Sequence, residues 1–345
     1  MLWFFLIFST LAWGIAEIYY KKGNIAHEKY AHLKTTCFVG IFMGIYALVI
    51  LLSQGLLSGP DGFKNFLINI VRYLPVSACY IISMTCSYFG VRFIEESISD
   101  PIENTSGAVV PILCAIFLHQ TMSAWAIVVV VIIVIGILGV GFVENTGKTD
   151  LKKKLGKKLA IWAFAMPFCY ALLDACGTFL DIFYVDDASS TFLVGVTEDT
   201  IEHMANCCYE FTFFFISIGI LIFFKIKGVK LFSVADPTNE EAIAHEATLT
   251  WYQKVYLQKD KLLAALFETM GQATYIFALS EGEGIAAVIL GAGTVIISVI
   301  ISRVILKEKL SWKQYIFIFI ILGGIIALSL LGDYSRFFEP VFCLK

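Results

Sequence analysis

The chain has 345 residues, of which 59% are hydrophobic and only 15% are charged, and its net charge is −3. Soluble domains contain about 45–50% apolar and about 25% charged residues, so this composition excludes a water-soluble globule and indicates a membrane protein. No basic stripe indicates nucleic-acid binding, and the expected partners are membrane lipid and a small molecule.

Ten segments hold the roughly 20 mostly apolar residues that a helix needs to cross a bilayer. In chain order they are 2–20, 34–54, 71–92, 98–118, 123–143, 159–180, 208–226, 261–279, 285–306 and 313–331. The first has no basic n-region and is predicted to be a span, not a cleaved signal. The two longer connections, 181–207 and 227–260, are predicted to be loops with room for a short interfacial helix. We therefore expect one all-α membrane domain over 1–345.

The ten spans repeat. A displacement of 187 residues aligns spans three to five with spans eight to ten, and pairs Tyr88 with Tyr275, Trp125 with Trp312, and Gly136 with Gly323. A displacement of 157 aligns span one with span six, and pairs Trp13 with Tyr170 and Glu17 with Asp174. The sequence thus predicts two five-helix repeats, 1–146 and 158–333. An odd number of spans per repeat forces the copies into opposite orientations around a central cavity.

The end of the chain carries a family resemblance. The stretch from Arg303 to Tyr315, with its Lys-Glu-Lys turn, followed by Leu322-Gly323-Gly324, resembles the last part of an EamA-like permease of the drug/metabolite transporter superfamily. Leu11-Ala-Trp-Gly14 is similar to that family's first-helix start. The first repeat departs from the pattern, with His119-Gln120-Thr121 in place of the glutamate turn. The resemblance implies ten helices around a central cavity and alternating access.

Lysine and arginine concentrate on one side of the predicted membrane. The odd-numbered connections and their span ends hold 20 of the 25 basic residues, whereas the even-numbered ones and both termini hold four. The positive-inside rule therefore places the odd connections in the cytoplasm and both termini outside. The resemblance implies the opposite, with cytoplasmic termini, and we prefer the charge count.

Carboxylates inside spans are the main candidates for substrate binding or ion coupling, because a charge in the membrane needs a cavity or a partner. Glu17 and Asp174 are predicted to act together, since they occupy matching positions on spans one and six. Two neighbouring buried carboxyls would share a proton or accept a cation. For Glu17, the alternative is an ion pair near the interface with Lys21, one turn further on.

Glu103 and Asn104 are further candidates at the start of span four. The competing interpretation is structural: Asp100 caps the helix, Pro101 takes its first position, and Glu103 is the acid of its first turn.

Glu268 and Gln272 stand one turn apart on span eight and are predicted to face inward. Glu268 has an alternative partner in Arg303, although Arg303 is expected to extend to the nearby interface. Four aromatic residues occupy repeat-related positions, as membrane-interface anchors or as cavity walls that hold a cation; they are Trp13, Tyr88, Tyr170 and Tyr275.

These features favour a secondary transporter in the cell membrane. The expected substrate is a small polar or cationic metabolite, such as an amino acid or an amine, with a proton or a cation as the coupling partner. The alternatives are a non-transporting receptor or scaffold, or an intramembrane enzyme. No enzymatic motif, metal-ligand set or phosphate loop is present, so no enzymatic activity, metal or cofactor is expected.

Overall fold

The computed structural model describes residues 1–93, 96–118, 123–144, 157–185, 192–235, 239–305 and 311–330. These ranges contain twelve helices and no strand, and the predicted all-α class is confirmed. The helices are α1 (Leu2–Gly23), α2 (Ala31–Ser53), α3 (Gly62–Gly90), α4 (Glu96–Glu103), α5 (Ser106–Phe117), α6 (Ala124–Glu144), α7 (Lys157–Val185), α8 (Ile201–Lys227), α9 (Glu240–Thr248), α10 (Trp251–Leu257), α11 (Lys259–Ile305) and α12 (Trp312–Leu330).

Seven segments of the described chain are long and apolar enough to cross a membrane. They are Leu2–Gly23, Ala31–Ser53, Gly62–Gly90, Ile161–Val185, Ile201–Lys227, Lys259–Gly282 and Gly284–Ile305. Two shorter apolar stretches, Ala124–Gly139 and Tyr315–Ala327, lie in α6 and α12. Large apolar side chains such as Val71, Leu172 and Phe319 are more than 60% exposed, a surface that lipid can cover. The chain is a multi-pass membrane protein.

The helical segment α11 covers 47 residues and consists of two arms that run in opposite directions and meet near Gly282–Gly284. Its first arm, Lys259–Gly282, runs antiparallel to α1, and its second arm, Gly284–Ile305, runs parallel to α1. The neighbours that establish this are Gly23 with Lys261 and Leu2 with Gly282 in the first arm, and Thr10 with Gly293 and Gly14 with Ile297 in the second. Two glycines at the turn remove the side chains that would otherwise obstruct it. Helix α1 thus lies against both arms.

The predicted fourth span, 98–118, is not one helix. It consists of α4 and α5, which are interrupted at Asn104-Thr105. Because α4 begins at Glu96, Asp100 does not cap a helix and Pro101 lies inside one, so the structural interpretation of Glu103 as a first-turn acid is wrong. Glu103 instead accepts a hydrogen bond from Ser99 Oγ at 2.7 Å.

One of the two longer connections also differs from the prediction. The interval predicted as a loop over 181–207 is shorter, because α7 continues to Val185 and α8 begins at Ile201. Buried side chains such as Ile182 and Met204 pack in these extra turns and hold them in the bundle. The 227–260 connection contains α9 and α10, and Thr250 starts α10 with a capping box.

A buried ion cluster closes the lysine-rich end of the bundle. Glu28 accepts hydrogen bonds from Lys34 Nζ at 2.9 Å and from Lys261 Nζ at 2.6 Å. All three side chains are no more than 3% exposed. Lys34 and Gln258 also donate to the carbonyl oxygen of Ser233. The cluster of Glu28, Lys34 and Lys261 thereby joins the α1–α2 connection to α2, to the segment before α9 and to α11.

Candidate functional site

A polar cavity lies at the centre of the bundle, between α1, α3, α4, α5, α7, α8 and α11. Its volume of about 80 Å³ holds several water molecules or one small solute, since one water needs about 10–15 Å³. Its walls carry four acidic residues, Glu17, Glu103, Asp174 and Glu268, and the described lining residues include no Lys, Arg or His. The cavity is therefore rich in acid and lacks a basic counterion in its walls.

All ten residues predicted as a site line this one cavity. They are Trp13, Glu17, Tyr88, Glu103, Asn104, Tyr170, Asp174, Glu268, Gln272 and Tyr275. The break between α4 and α5 brings Asn104 to the wall, and Gly291 on the second arm of α11 approaches it closely. Their convergence follows from the energetic argument used to select them, because polar groups in apolar spans avoid lipid.

Besides Glu103, two further cavity acids accept hydrogen bonds from hydroxyl groups. Asp174 on α7 accepts a hydrogen bond from Ser106 Oγ at 2.7 Å, which joins α7 to the first residue of α5. Glu268 on α11 accepts from the Tyr20 hydroxyl at 2.5 Å, and Tyr88 donates to Tyr20 at 3.1 Å. Hydrogen bonds to a carboxylate are stronger than those between neutral groups. These contacts orient the two acids at the cavity wall.

Arg303, the alternative partner of Glu268, lies elsewhere. Lys21 donates a hydrogen bond to the carbonyl oxygen of Val91 at 2.7 Å. The guanidinium of Arg303 lies over the Tyr315 ring at 5.4 Å and is exposed, while Glu268 binds Tyr20 on the inside of the bundle. Arg303 therefore extends away from the cavity.

Aromatic rings form much of the cavity wall. Trp13 packs against Tyr275 with ring centroids 4.9 Å apart, and Tyr20 packs against Tyr88 at 4.5 Å. Such ring faces attract cations, most strongly where water is excluded. The rings and the acids together make the cavity suitable for a positively charged solute.

Gln272 links α11 to α8 by a hydrogen bond between side chains. Its amide nitrogen donates to Asn206 Oδ1 on α8 at 3.1 Å. Both side chains are buried, and this pairing satisfies groups that would be costly to leave alone in the membrane. Gln272 is thus held at the wall beside Glu268.

Three cavity tyrosines were not predicted from the sequence: Tyr20, Tyr80 and Tyr209. Tyr80 shares one face of α3 with Tyr73, seven residues earlier, and that polar stripe is the signal in the sequence that indicates Tyr80. Tyr80 bonds to Thr178 at 3.2 Å and to Tyr275 at 3.1 Å.

Three buried acids outside the cavity wall were also missed. Asp181 lies in α7, where a loop was predicted, and accepts from Tyr73 and Tyr80. Asp100 accepts from Ser298 on the second arm of α11. Glu210 on α8 is fully buried, and within the described part of the chain neither of its carboxyl oxygens has a hydrogen-bond partner.

The sequence offers one thin suggestion of a metal site, His203 near the Cys207-Cys208 pair. In the structure these groups take part in helix packing. The His203 ring packs edge-on against Phe277 with centroids 5.1 Å apart, and the Cys207 thiol donates to the carbonyl oxygen of Ala47. Among the residues that the structure describes, no group of three His, Cys, Asp or Glu side chains is placed to hold a metal ion.

Comparison with known proteins supports the fold and the family. No curated protein matches the chain. Among solved structures 19 chains match. One of them, titled only as the crystal structure of a protein, has a TM-score of 0.53 and 12% identity, over 95% of this chain and 98% of that one. At this identity the likeness concerns the fold alone.

The family model described as the EamA-like transporter family matches residues 187–330. The resemblance indicated by the sequence is confirmed over residues 187–330, which are similar to the EamA-like transporter family of the drug/metabolite transporter superfamily.

Proposed function

We propose that the protein is a secondary transporter that carries a small organic cation, such as an amine or an amino acid, by alternating access with proton coupling. The observation that carries this proposal is the central cavity, whose walls hold four acids, a set of aromatic rings and, among the described lining residues, no basic side chain. The match of residues 187–330 to a transporter family supports transport as the general activity.

The proposed architecture is ten spans in two inverted five-helix repeats. α4 and α5 together count as one span, and the two arms of α11 count as two. Corresponding spans should then pair with each other across a pseudo-two-fold axis, and in antiparallel directions.

The packing of the outer helices supports this architecture. Spans five and ten are α6 and α12, and their close contacts are Gly136 with Ile321 and Ile133 with Gly324. Spans two and seven are α2 and α8, and their contacts are Gly40 with Phe213 and Ala47 with Cys207. In both pairs the residue numbers rise in one helix as they fall in the other, so the paired helices are antiparallel.

The inner helices do not pair with their counterparts but pack against corresponding partners. α1 packs against both arms of α11, and α7, the counterpart of α1, packs against α3 and against α4 and α5. The repeat-related acids Glu17 and Asp174 lie on α1 and α7, and both line the cavity. An inverted repeat gives a carrier two related arrangements, one open to each side.

The charge of the cavity supports a cationic substrate and a coupling proton. Four acids in one desolvated space repel one another, and each ionised carboxyl loses hydration, so the negative charge of the cavity needs a proton or a cation to neutralise it. A cationic solute brings the charge that ionised carboxylates require, and the aromatic rings add cation–π attraction. Substrate and proton therefore compete for the same acids, and that competition is the simplest form of exchange coupling.

The experiment is a thermal-shift screen of the purified, detergent-solubilised protein at mildly acidic and neutral pH. The ligand classes are amines, amino acids, nucleosides, sugar nucleotides and vitamins. A ligand that binds only the folded protein raises its melting temperature. At 100 times its Kd, such a ligand raises the free energy of unfolding by about 2.7 kcal/mol. We expect a cationic class to bind better at neutral than at acidic pH.

Asp174→Asn is the decisive variant, because it removes one charge and keeps the side-chain shape and the contact with Ser106. We expect the cationic hit to lose affinity by at least about tenfold, equivalent to about 1.4 kcal/mol. The Asp61→Asn variant, at an exposed helix end, is the matched control and should bind as the wild type does. Neutral or anionic hits that survive loss of both Glu17 and Asp174 would overturn the proposed mechanism and favour a receptor or a scaffold.

The orientation follows from the distribution of lysine and arginine, which places the lysine-rich end and the cluster of Glu28, Lys34 and Lys261 on the cytoplasmic side. We propose the plasma membrane as the location.

A further inference from the structure

Asp181 is a buried carboxyl group that the proposed transport cycle does not use. It lies on α7, about two turns after the cavity residue Asp174, and is 1% exposed. It is not part of the cavity wall. The Tyr73 hydroxyl donates to Oδ1, and the Tyr80 hydroxyl donates to Oδ2 at 3.2 Å. Within the described chain, no Lys, Arg or His forms an ion pair with Asp181.

A chain of hydroxyl groups connects Asp181 to the cavity. Tyr275, on the cavity wall, lies 3.1 Å from the Tyr80 hydroxyl and 2.7 Å from Thr178 Oγ1. Tyr80 bonds to Thr178 at 3.2 Å and then to Asp181. Every link is within hydrogen-bonding distance, and every hydroxyl in it can both donate and accept.

We propose that Asp181 is a proton-binding site that is loaded from the cavity through the hydroxyl chain of Tyr275, Thr178 and Tyr80. Its role as a coupling site rests on the proposed transport function. The titratable groups that face it are Tyr73 and Tyr80 on α3 and Tyr275 on α11.

The transfer needs no group beyond those in the chain. A proton from the cavity bonds to the Tyr275 oxygen, and the original Tyr275 proton moves to the Tyr80 oxygen. The O–H bond of Tyr80 to its own proton breaks as that proton bonds to Oδ2 of Asp181. The carboxylate becomes a neutral acid, and each tyrosine again has one proton. A neutral acid is the form that a buried site without a basic partner favours.

The location of the chain gives this site its use. Asp181 and the inner tyrosine, Tyr73, are each 1% exposed, so the described route for a proton is the cavity itself. Tyr80 itself lines the cavity and belongs to α3, whereas Asp181 belongs to α7, so the last link of the chain exists only while these two helices are in contact. Proton loading would therefore depend on the arrangement of the helices as well as on pH.

The test measures protonation directly, on the full-length protein reconstituted in lipid vesicles without added solute. Infrared difference spectra are recorded as the pH is stepped, and the stretch of the protonated carboxyl group is followed. Asp181→Asn should remove one carboxyl signal from the difference spectrum. Tyr80→Phe should keep the size of that signal but slow its appearance after a pH jump by at least about tenfold, a barrier increase of about 1.4 kcal/mol.

Tyr184→Phe is the matched control. It also removes a tyrosine hydroxyl between α7 and α3, where Tyr184 donates to the carbonyl oxygen of Arg72 at 3.0 Å, but it lies outside the chain. It should leave both the signal and its rate unchanged. If Asp181→Asn does not fold, the rate difference between Tyr80→Phe and Tyr184→Phe decides the question.

Two results would overturn the inference. One is an unchanged carboxyl spectrum in folded Asp181→Asn, and the other is a wild-type rate in Tyr80→Phe. Because no solute is added, these results are independent of the ligand screen. A carboxyl signal from Asp181 in a protein that binds no solute would refute the proposed function and leave the proton site standing.

Discussion

The buried cluster at the lysine-rich end allows a stability prediction from its geometry. Glu28 is the acceptor for both Lys34 and Lys261, at 2.9 and 2.6 Å, and all three side chains are almost completely buried. Glu28→Gln keeps the shape but removes the negative charge, so two ammonium groups then face each other in a desolvated space. Removing one partner of a buried ion pair costs about 3–5 kcal/mol. We expect a loss of this size in the free energy of unfolding.

The assay is unfolding in mixed detergent micelles, followed by tryptophan fluorescence and compared with Asp61→Asn. Asp61 and Lys64 form an exposed pair 3.9 Å apart, and the loss of an exposed pair costs at most about 1 kcal/mol. The double variant Glu28→Gln/Lys261→Met removes one of the two positive charges that repel each other and should recover part of the lost stability. The reasoning is wrong if Glu28→Gln and Asp61→Asn destabilise the protein equally.

Two further predictions concern packing and orientation. A Cβ atom on Gly107 would lie 2.5 Å from the carbonyl oxygen of Ala287, so Gly107→Ala should lower the unfolding free energy by about 1–3 kcal/mol. The control is Gly219→Ala, where nothing lies within 4 Å of the added atom, and it should be neutral or stabilising. Equal melting temperatures of the two variants would contradict the packing argument. If the lysine-rich end is cytoplasmic, a membrane-impermeant amine reagent applied to intact cells should label Lys64 and spare Lys230, whereas the reverse pattern would invert the topology.

The sequence predicted the cavity residues better than the helix boundaries. Glu17, Asp174 and Glu268 could be selected from the sequence because a carboxyl group in an apolar span has few places to lie other than a cavity. Hydropathy averaged over a window does not locate the end of a helix to within a turn. It stopped span six at residue 180, and Asp181 was therefore assigned to a loop although α7 continues to Val185.

Two kinds of feature could not be predicted from local sequence. The Glu28–Lys261 contact joins residues 233 positions apart, and neither residue is unusual among its neighbours. The break of span four at Asn104 lies where Gly291 on the second arm of α11 approaches closely. Both features arise from packing between distant segments, which no periodicity in a single helix records.

The position of α1 between the two arms of α11 has a mechanical consequence. These helices share one packed interface and should move as one rigid body, while α7 with α3, α4 and α5 forms a second. The cavity lies between the two bodies. Across it, hydroxyl pairs such as Tyr20–Tyr88 and Tyr80–Tyr275 are neutral hydrogen bonds, worth only about 0.5–1.5 kcal/mol each.

Two contacts between the bodies are stronger because one partner is charged. Ser298 donates to the Asp100 carboxylate, and the Lys21 ammonium group donates to the carbonyl oxygen of Val91 at 2.7 Å. We expect any relative movement of the bodies to break the tyrosine contacts first, because those contacts separate at lower cost.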